Sequence, residues 1–282
     1  MHGVKPSVAE SSLRQRTLTA FALGPLVMAA VLLLPTPYFA AFLSLVVLAT
    51  AWDWSALAGL NKQAARAGYL ALLGLCLIGL WLVPALRFWL VVAGVLWWLF
   101  QSVHVARVRE ILPCTNCQST QLAAGLLVLA APWAAMVELH GLAPHGPPLV
   151  LLLMLLVWTA DSLAYFVGRR WGRTKLSPIV SPGKTREGVY GALAGAVLWG
   201  LAFGWAFSLG LADTLLMSLV CAVAVMTSVV GDLYESLLKR RRGVKDSSHL
   251  LPGHGGLLDR VDSLTAAAPI FALGLGFLGG LT

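Results

Sequence analysis

The sequence predicts an all-α, polytopic membrane protein with about nine transmembrane helices. Three observations carry that prediction. The 282 residues are 59% hydrophobic and only 11% charged, whereas a soluble domain is about 25% charged. The apolar residues fall in runs of membrane-crossing length, roughly 20 residues with about 17 as a lower limit. Most of the charged residues fall between those runs, which leaves no room for a large soluble domain.

In chain order the runs are 17–34, 38–59, 67–85, 88–104, 121–140, 148–167, 189–209, 212–231 and 264–281. Pro35 and Pro37 break the first hairpin. Asn61, Lys62 and Arg66 mark the second turn, and Pro84 and Arg87 the third. The polar segment 105–120 contains Pro113 and is a loop or a short surface helix. Pro144, Pro147 and Pro148 make 141–148 the next turn. Residues 1–147 form a transmembrane scaffold. Residues 148–282 form a C-terminal transmembrane region with polar loops at 168–188 and 232–263, where any catalytic chemistry is expected. The first run continues to Leu34 without a small-residue cleavage pattern, so it reads as a retained helix rather than a signal peptide.

Charge sets the orientation. With a cytoplasmic N-terminus, nineteen of the twenty Lys and Arg lie inside and only Arg87 lies outside. The positive-inside rule then predicts nine spans, a cytoplasmic N-terminus and an external C-terminus. The net charge of +8 is explained by this asymmetry, and no nucleic-acid partner is expected. Four cysteines do not make a disulfide framework. Cys76 and Cys221 read as packing residues. Cys114-Thr115-Asn116-Cys117 has the spacing of half a zinc site without a second half, so no zinc is expected.

The chemistry concentrates in residues 232–262. This stretch holds Asp232, Glu235, Asp246, Asp259 and Asp262, with Lys239, Arg240, Arg241, Arg242, Lys245 and Arg260. Such a segment between apolar runs must lie in water at the membrane edge. On a helix continuing from the eighth run, Asp232, Ser236 and Lys239/Arg240 share one face, and Asp259 and Asp262 are three apart. Two carboxylate sets can meet on a cation, and Mg²⁺ suits carboxylates plus substrate phosphates. The competing reading is a solvated loop in which these acids pair with neighbouring Lys and Arg. Arg241 and Arg242 read as topology signals that attract anionic lipid. His254 either donates to phosphate or holds the Gly-rich turn.

A second constellation comes earlier. Asp161 is an acid inside a span, which is costly and therefore a functional candidate, with Tyr165 one turn along the same face. Ser181-Pro182-Gly183-Lys184-Thr185-Arg186-Glu187-Gly188 offers a lysine and hydroxyls for a phosphate. It also reads as a helix start capped by Thr185, and the two readings are compatible because helix N-termini bind anions. Asp53, in Ala-Trp-Asp-Trp-Ser, is either an interfacial residue among tryptophans or a support or lid for the site.

These residues carry a resemblance. The pattern Ser236-x-Leu238-Lys239-Arg240, Lys245-Asp246 and Leu251-Pro252-x-His254-Gly255-Gly256-Leu257-x-Asp259-Arg260-Val261-Asp262 is similar to the signature of the phosphatidate cytidylyltransferases, the CDP-diacylglycerol synthases. It shows no departure from it. The run Ser181-Pro182-x-Lys184-Thr185-x-Glu187-Gly188 resembles a second motif of that family. The resemblance spans about 150–282; the N-terminal half matches only in hydropathy and layout. It implies that Asp232, Lys239, Arg240 and Asp259 are catalytic and that Asp232 and Asp259 hold Mg²⁺. It implies substrate contacts for Asp161, Tyr165, Ser181, Lys184, Thr185, Ser236, Lys245, Asp246, His254, Gly255, Gly256, Arg260 and Asp262. The expected reaction converts CTP and phosphatidic acid to CDP-diacylglycerol and pyrophosphate, at the cytoplasmic face of a bacterial inner membrane. Expected partners are the two substrates and the lipid bilayer, with a homodimer left open. Two alternatives stand: a paralogue that activates another lipid phosphate, and an ion or phosphate transporter with Asp161 as its coupling carboxylate.

Overall fold

Proline and glycine punctuate the apolar runs. Pro35 is the N-cap of one helix and Pro84 of another. Two prolines, Pro147 and Pro148, sit in the first turn of a third, where the missing N–H costs nothing. The computed structural model describes residues 24–111, 118–248 and 255–278. Among the described residues the order is α1 (Gly24–Leu33), α2 (Thr36–Ala58), α3 (Gln63–Leu82), α4 (Ala85–Arg107), α5 (Gln118–Gly141), α6 (Gly146–Trp171), β1 (Lys175–Ser177), β2 (Ser181–Thr185), α7 (Arg186–Ala206), α8 (Leu211–Arg241) and α9 (Leu258–Leu275). Seven helices, α2 to α8, are long and apolar enough to cross a membrane. Helix α9 carries Asp259, Arg260 and Asp262 within its 18 residues.

Helix α5 is the hub. It is buried along most of its length and packs on α2, α4, α6 and α9. Its small residues Ala124, Gly125, Ala130, Ala131, Ala134 and Ala135 are all buried. Small side chains let helix backbones approach where lipid supplies no hydrophobic drive between helices. Helix α3 is peripheral and buries only Tyr69, Leu73 and Leu77. Helices α6 to α9 pack in sequence, each on the next.

The bundle has two distinct ends. At one, Thr36 Oγ1 lies 3.1 Å from His140 Nδ1, and Arg87 donates to Glu138 Oε1 at 2.8 Å and to Leu80 O at 2.8 Å. At the other end gather the C-termini of α2 and α8, the N-terminus of α5 and the β1–β2 hairpin. There Gln118 donates to Gly59 O at 3.1 Å and Arg242 Nε to Leu57 O at 2.7 Å. The antiparallel hairpin pairs Lys175 with Thr185 and Ser177 with Ser181, and it is the only strand structure among the described residues.

The expected polar loops are shorter than the sequence suggests. Helix α8 runs 31 residues, well past the end of its apolar run at 231. Residues 232–241 stay helical because Leu233, Tyr234, Leu237 and Leu238 bury one face while Asp232, Ser236 and Lys239 lie along the site, an amphipathic pattern. Helix α9 likewise starts at Leu258 rather than 264. Asp232 and Asp259 therefore project from helices, not from a solvated loop.

Candidate active site

The site is built at the junction of α8 and α9 and joined by the hairpin. Along α8, Asp232, Glu235, Ser236 and Lys239 occupy one stripe. Ser236 Oγ donates to Asp232 Oδ1 at 3.3 Å. Lys184 reaches across from β2 and sets its Nζ 2.5 Å from Asp232 Oδ2. The two polar segments singled out in the sequence thus meet through one ion pair.

Asp259 stands at the centre of a denser knot. Its Oδ1 accepts from Lys239 Nζ at 2.6 Å. Its Oδ2 accepts from Ser247 N at 3.1 Å, Ser247 Oγ at 2.9 Å and Gly256 N at 2.9 Å. Asp259 precedes the apolar run of α9. Burial alone would raise its carboxyl group; the Lys239 ammonium and the Gly256 amide outweigh burial and hold it at about 2. It is an anion throughout the physiological range. The same Lys239 ammonium lies 3.4 Å from Glu235 Oε1. Neither oxygen of the buried Glu235 finds a hydrogen bond of good geometry.

Asp161 of α6, Asp232 of α8 and Asp262 of α9 are close enough to repel one another, and all three feel Lys184. Asp161 is exposed and faces Ser263. Asp262 Oδ1 accepts from Ser263 N at 2.8 Å. Close approach of α8 and α9 is what brings Asp232 and Asp262 together: a Cβ on Gly231 would lie 2.6 Å from Asp262 O.

The structure therefore gathers Asp161, Lys184, Asp232, Ser236, Lys239, Gly256, Asp259 and Asp262. Gly255, with φ +81°, shapes the turn that leads into α9, and Asp246 packs beside it. Thr185 acts as the helix cap that the sequence suggested: its Oγ1 accepts from Gly188 N at 3.2 Å. Ser181 begins β2 in the hairpin. Tyr165 points outward and accepts from Arg169 at 3.0 Å. Arg240 is exposed and donates to Val244 O at 3.4 Å, away from the carboxylates. Lys245 is exposed on the turn after α8, and Arg260 is exposed on the first turn of α9. His254 lies outside the described residues, as do Cys114 and Cys117.

Two residues, Glu235 and Arg242, gain roles that the sequence did not assign, and Asp53 takes up the supporting one of its two readings. Glu235 sits three residues after Asp232 and four before Lys239, a helical spacing that places it between them. Asp53 is fully buried and accepts from Leu258 N at 3.1 Å. The signal was there, since an acid inside an apolar run is a functional candidate, but the flanking tryptophans offered an interfacial explanation. Arg242 does more than set topology, because it ties α8 to the end of α2 through Leu57.

Among the described residues no group of three or more His, Cys, Asp or Glu side chains is arranged to hold a metal ion. Asp232 and Asp259 each carry a lysine as counter-ion instead.

Apolar helices of spanning length, with carboxylates and lysines collected at one end of the last four, define a multi-pass helical protein whose polar site lies at a helix-bundle edge. The sequence specifies which one: the chain belongs to the Cytidylyltransferase family, whose pattern matches residues 14–278. It is 42% identical to the phosphatidate cytidylyltransferase of Pseudomonas aeruginosa over 260 residues, covering 92% of this chain and 96% of that protein. It is 37% identical to that of Haemophilus influenzae over 287 residues, covering 92% and 97%. The match to the Thermotoga maritima phosphatidate cytidylyltransferase is 38% over 144 residues, 48% of this chain and 52% of that one.

Proposed function

We propose that this protein transfers the cytidylyl group of CTP to phosphatidic acid, giving CDP-diacylglycerol and pyrophosphate. The observation that carries the reading is the convergence of both polar segments through the Lys184–Asp232 ion pair, in a chain of this family. An oxygen of the lipid phosphate attacks the α-phosphorus of CTP. The bond from that phosphorus to the bridging oxygen breaks, and pyrophosphate leaves with the electron pair. A phosphate monoester is largely dianionic at neutral pH, so no strong general base is needed. The barrier is repulsion between anions and charge on the leaving group.

The residues answer that barrier with cations. Lys184, part-exposed beside Asp232, can turn from its carboxylate to phosphate oxygens, and Lys239, held by Asp259, adds fixed positive charge. A site edge with Asp161, Asp232 and Asp262 repels a triphosphate unless further positive charge is supplied. Mg²⁺ fits this donor set, because it takes one or two carboxylates and completes its shell with water and phosphate oxygens. Asp232 would hold it, with Asp259 the second carboxylate that the family resemblance points to, and when bound it would neutralise charge on the triphosphate. Ser236 orients Asp232, and Thr185 fixes the start of α7 behind Lys184.

The nine-span reading belongs to the same proposal. Nine crossings place the N-terminus in the cytoplasm and the C-terminus outside. The end with Arg87 and Glu138 then faces outward, and the charged end faces the cytoplasm, where nucleotide is available. In a bacterial cell this is the inner membrane, with lipid tails entering between spans. A C-terminal reporter active only in the cytoplasm would contradict the orientation.

The test of the reaction is pyrophosphate release by purified protein in detergent, given CTP and phosphatidic acid with and without Mg²⁺. Release that needs all three establishes it. Release that persists without the lipid, or without the metal, removes the corresponding part.

A further inference from the structure

Helix α9 lacks a cap of its own. Its N-cap residue is Leu257, which offers no side-chain acceptor, although the first N–H groups of a helix have no partner within it. The acceptor comes from α2, some two hundred residues earlier in the chain: Asp53 Oδ2 receives Leu258 N at 3.1 Å. Asp53 is 0% exposed, so this is a buried contact between the scaffold half and the catalytic half. A carboxylate there also complements the positive end of the helix.

The surroundings fix Asp53 in place. Its neighbour Trp54 donates Nε1 to Gln121 O of α5 at 2.8 Å and lies against Tyr234 of α8, ring centroids 6.3 Å apart. On the other side the chain presses down on the carboxylate. A Cβ on Gly256 would lie 2.5 Å from Asp53 Oδ2 and would also overlap Ser247 Oγ. Only glycine lets this turn pass so close. The same Gly256 donates its N–H to Asp259, and Asp259 holds Lys239. A continuous set of contacts therefore runs from α2 through the first turn of α9 to the catalytic carboxylate.

We propose that Asp53 is a positioning residue for cytidylyl transfer: as an acceptor supplied from α2, it sets the first turn of α9 and with it the Asp259 carboxylate. This rests on the catalytic reading of Asp259 and Lys239 given above. Small misplacements of a reacting group cost roughly 10²-fold in rate, so the effect is on turnover rather than on substrate capture.

The experiment compares the full-length wild type with D53N and D53A in detergent. It reads kcat, KM for CTP, melting temperature and amide hydrogen exchange. Asn serves at helix N-termini about as well as Asp, so D53N should keep kcat within about threefold. D53A should lose roughly ten- to hundredfold in kcat with KM for CTP within about threefold. Exchange should quicken at 256–262 and stay unchanged in α5. If D53A does not fold, D53S, whose shorter side chain draws the acceptor back from Leu258 N while keeping a polar group, carries the same expectations. Wild-type exchange at 256–262 in D53A overturns the proposal, as does a D53N variant impaired as badly as D53A. Exchange that rises across α2, α5 and α9 together also overturns it, since that marks general loosening. A wild type that releases no pyrophosphate defeats the reaction assignment instead, and the exchange comparison still decides the role of Asp53.

Discussion

Asp259 and Asp232 are held in opposite ways. Asp259 receives four protein donors, three of them from the short stretch 247–256 and its own turn, and its side chain is 10% exposed. Asp232 receives one hydroxyl of its own helix and one lysine from a separate hairpin, and its side chain is 32% exposed. The first is a preorganised anion whose position is decided before any substrate arrives. The second has fewer donors, is more exposed, and depends on a contact from a separate element. An enzyme that joins a nucleotide from water to a lipid from the bilayer has use for both: a fixed point of reference and a more open edge.

If this contrast holds, D259N should have the largest effect. Asparagine cannot accept on both sides, so its amide would face either the Lys239 ammonium or the three donors at Oδ2. Turnover should fall by roughly 10²–10³-fold or more while the protein still inserts in the membrane. Normal activity would sink the assignment of Asp259. Because the carboxyl group is held at about 2, its contribution to stability is complete above the ordinary carboxylate range and is lost only as pH falls through about 2. The wild-type pH profile between about 5 and 9 should therefore show no inflection from this group.

K239M comes next. It leaves Glu235 and Asp259 buried without the cation between them. Removing one partner of a buried pair costs about 3–5 kcal/mol, so both thermal stability and turnover should drop. A variant that melts like the wild type would mean that the knot is not preorganised. K184A probes the other side of the contrast. Its ion pair is part-exposed, and such pairs contribute about 0.2–1 kcal/mol, so the melting temperature should barely move. Turnover should still fall by about ten- to hundredfold, as for one lost electrostatic contact to the transition state. A large loss of stability in K184A would erase the distinction drawn here.

Much of this was legible in the sequence, for identifiable reasons. Apolar runs and their prolines gave the helices because burial in lipid and backbone sterics are local properties. Asp161, Lys184, Asp232, Lys239 and Asp259 stood out because charge is sparse in this chain. What was not legible is pairing across the fold. Nothing local says that Lys184 meets Asp232 rather than Glu187, or that Asp53 serves a helix two hundred residues on. Arg240 sits beside Lys239 in the chain, yet one residue is about 100° around a helix, and the structure turns it outward. Glu235 does not stand out in the sequence, because five acids in one basic stretch look alike until burial separates them.

Arg242 gives the smallest expected effect on activity. Sequence alone makes it one more basic residue at the membrane edge, so R242A should cost little of anything. The structure has its Nε donating to Leu57 O at 2.7 Å, where the final carbonyls of α2 have no helical partner. A hydrogen bond from a charged group contributes about 1.5–3 kcal/mol, and R242A should lower the melting temperature by several degrees. No substrate group lies on this path, so kcat and KM of the folded variant should match the wild type. R242K should not rescue stability, because lysine has no donor at the Nε position. If R242A loses turnover without losing stability, Arg242 faces substrate and the boundary of the site must move outward to include it.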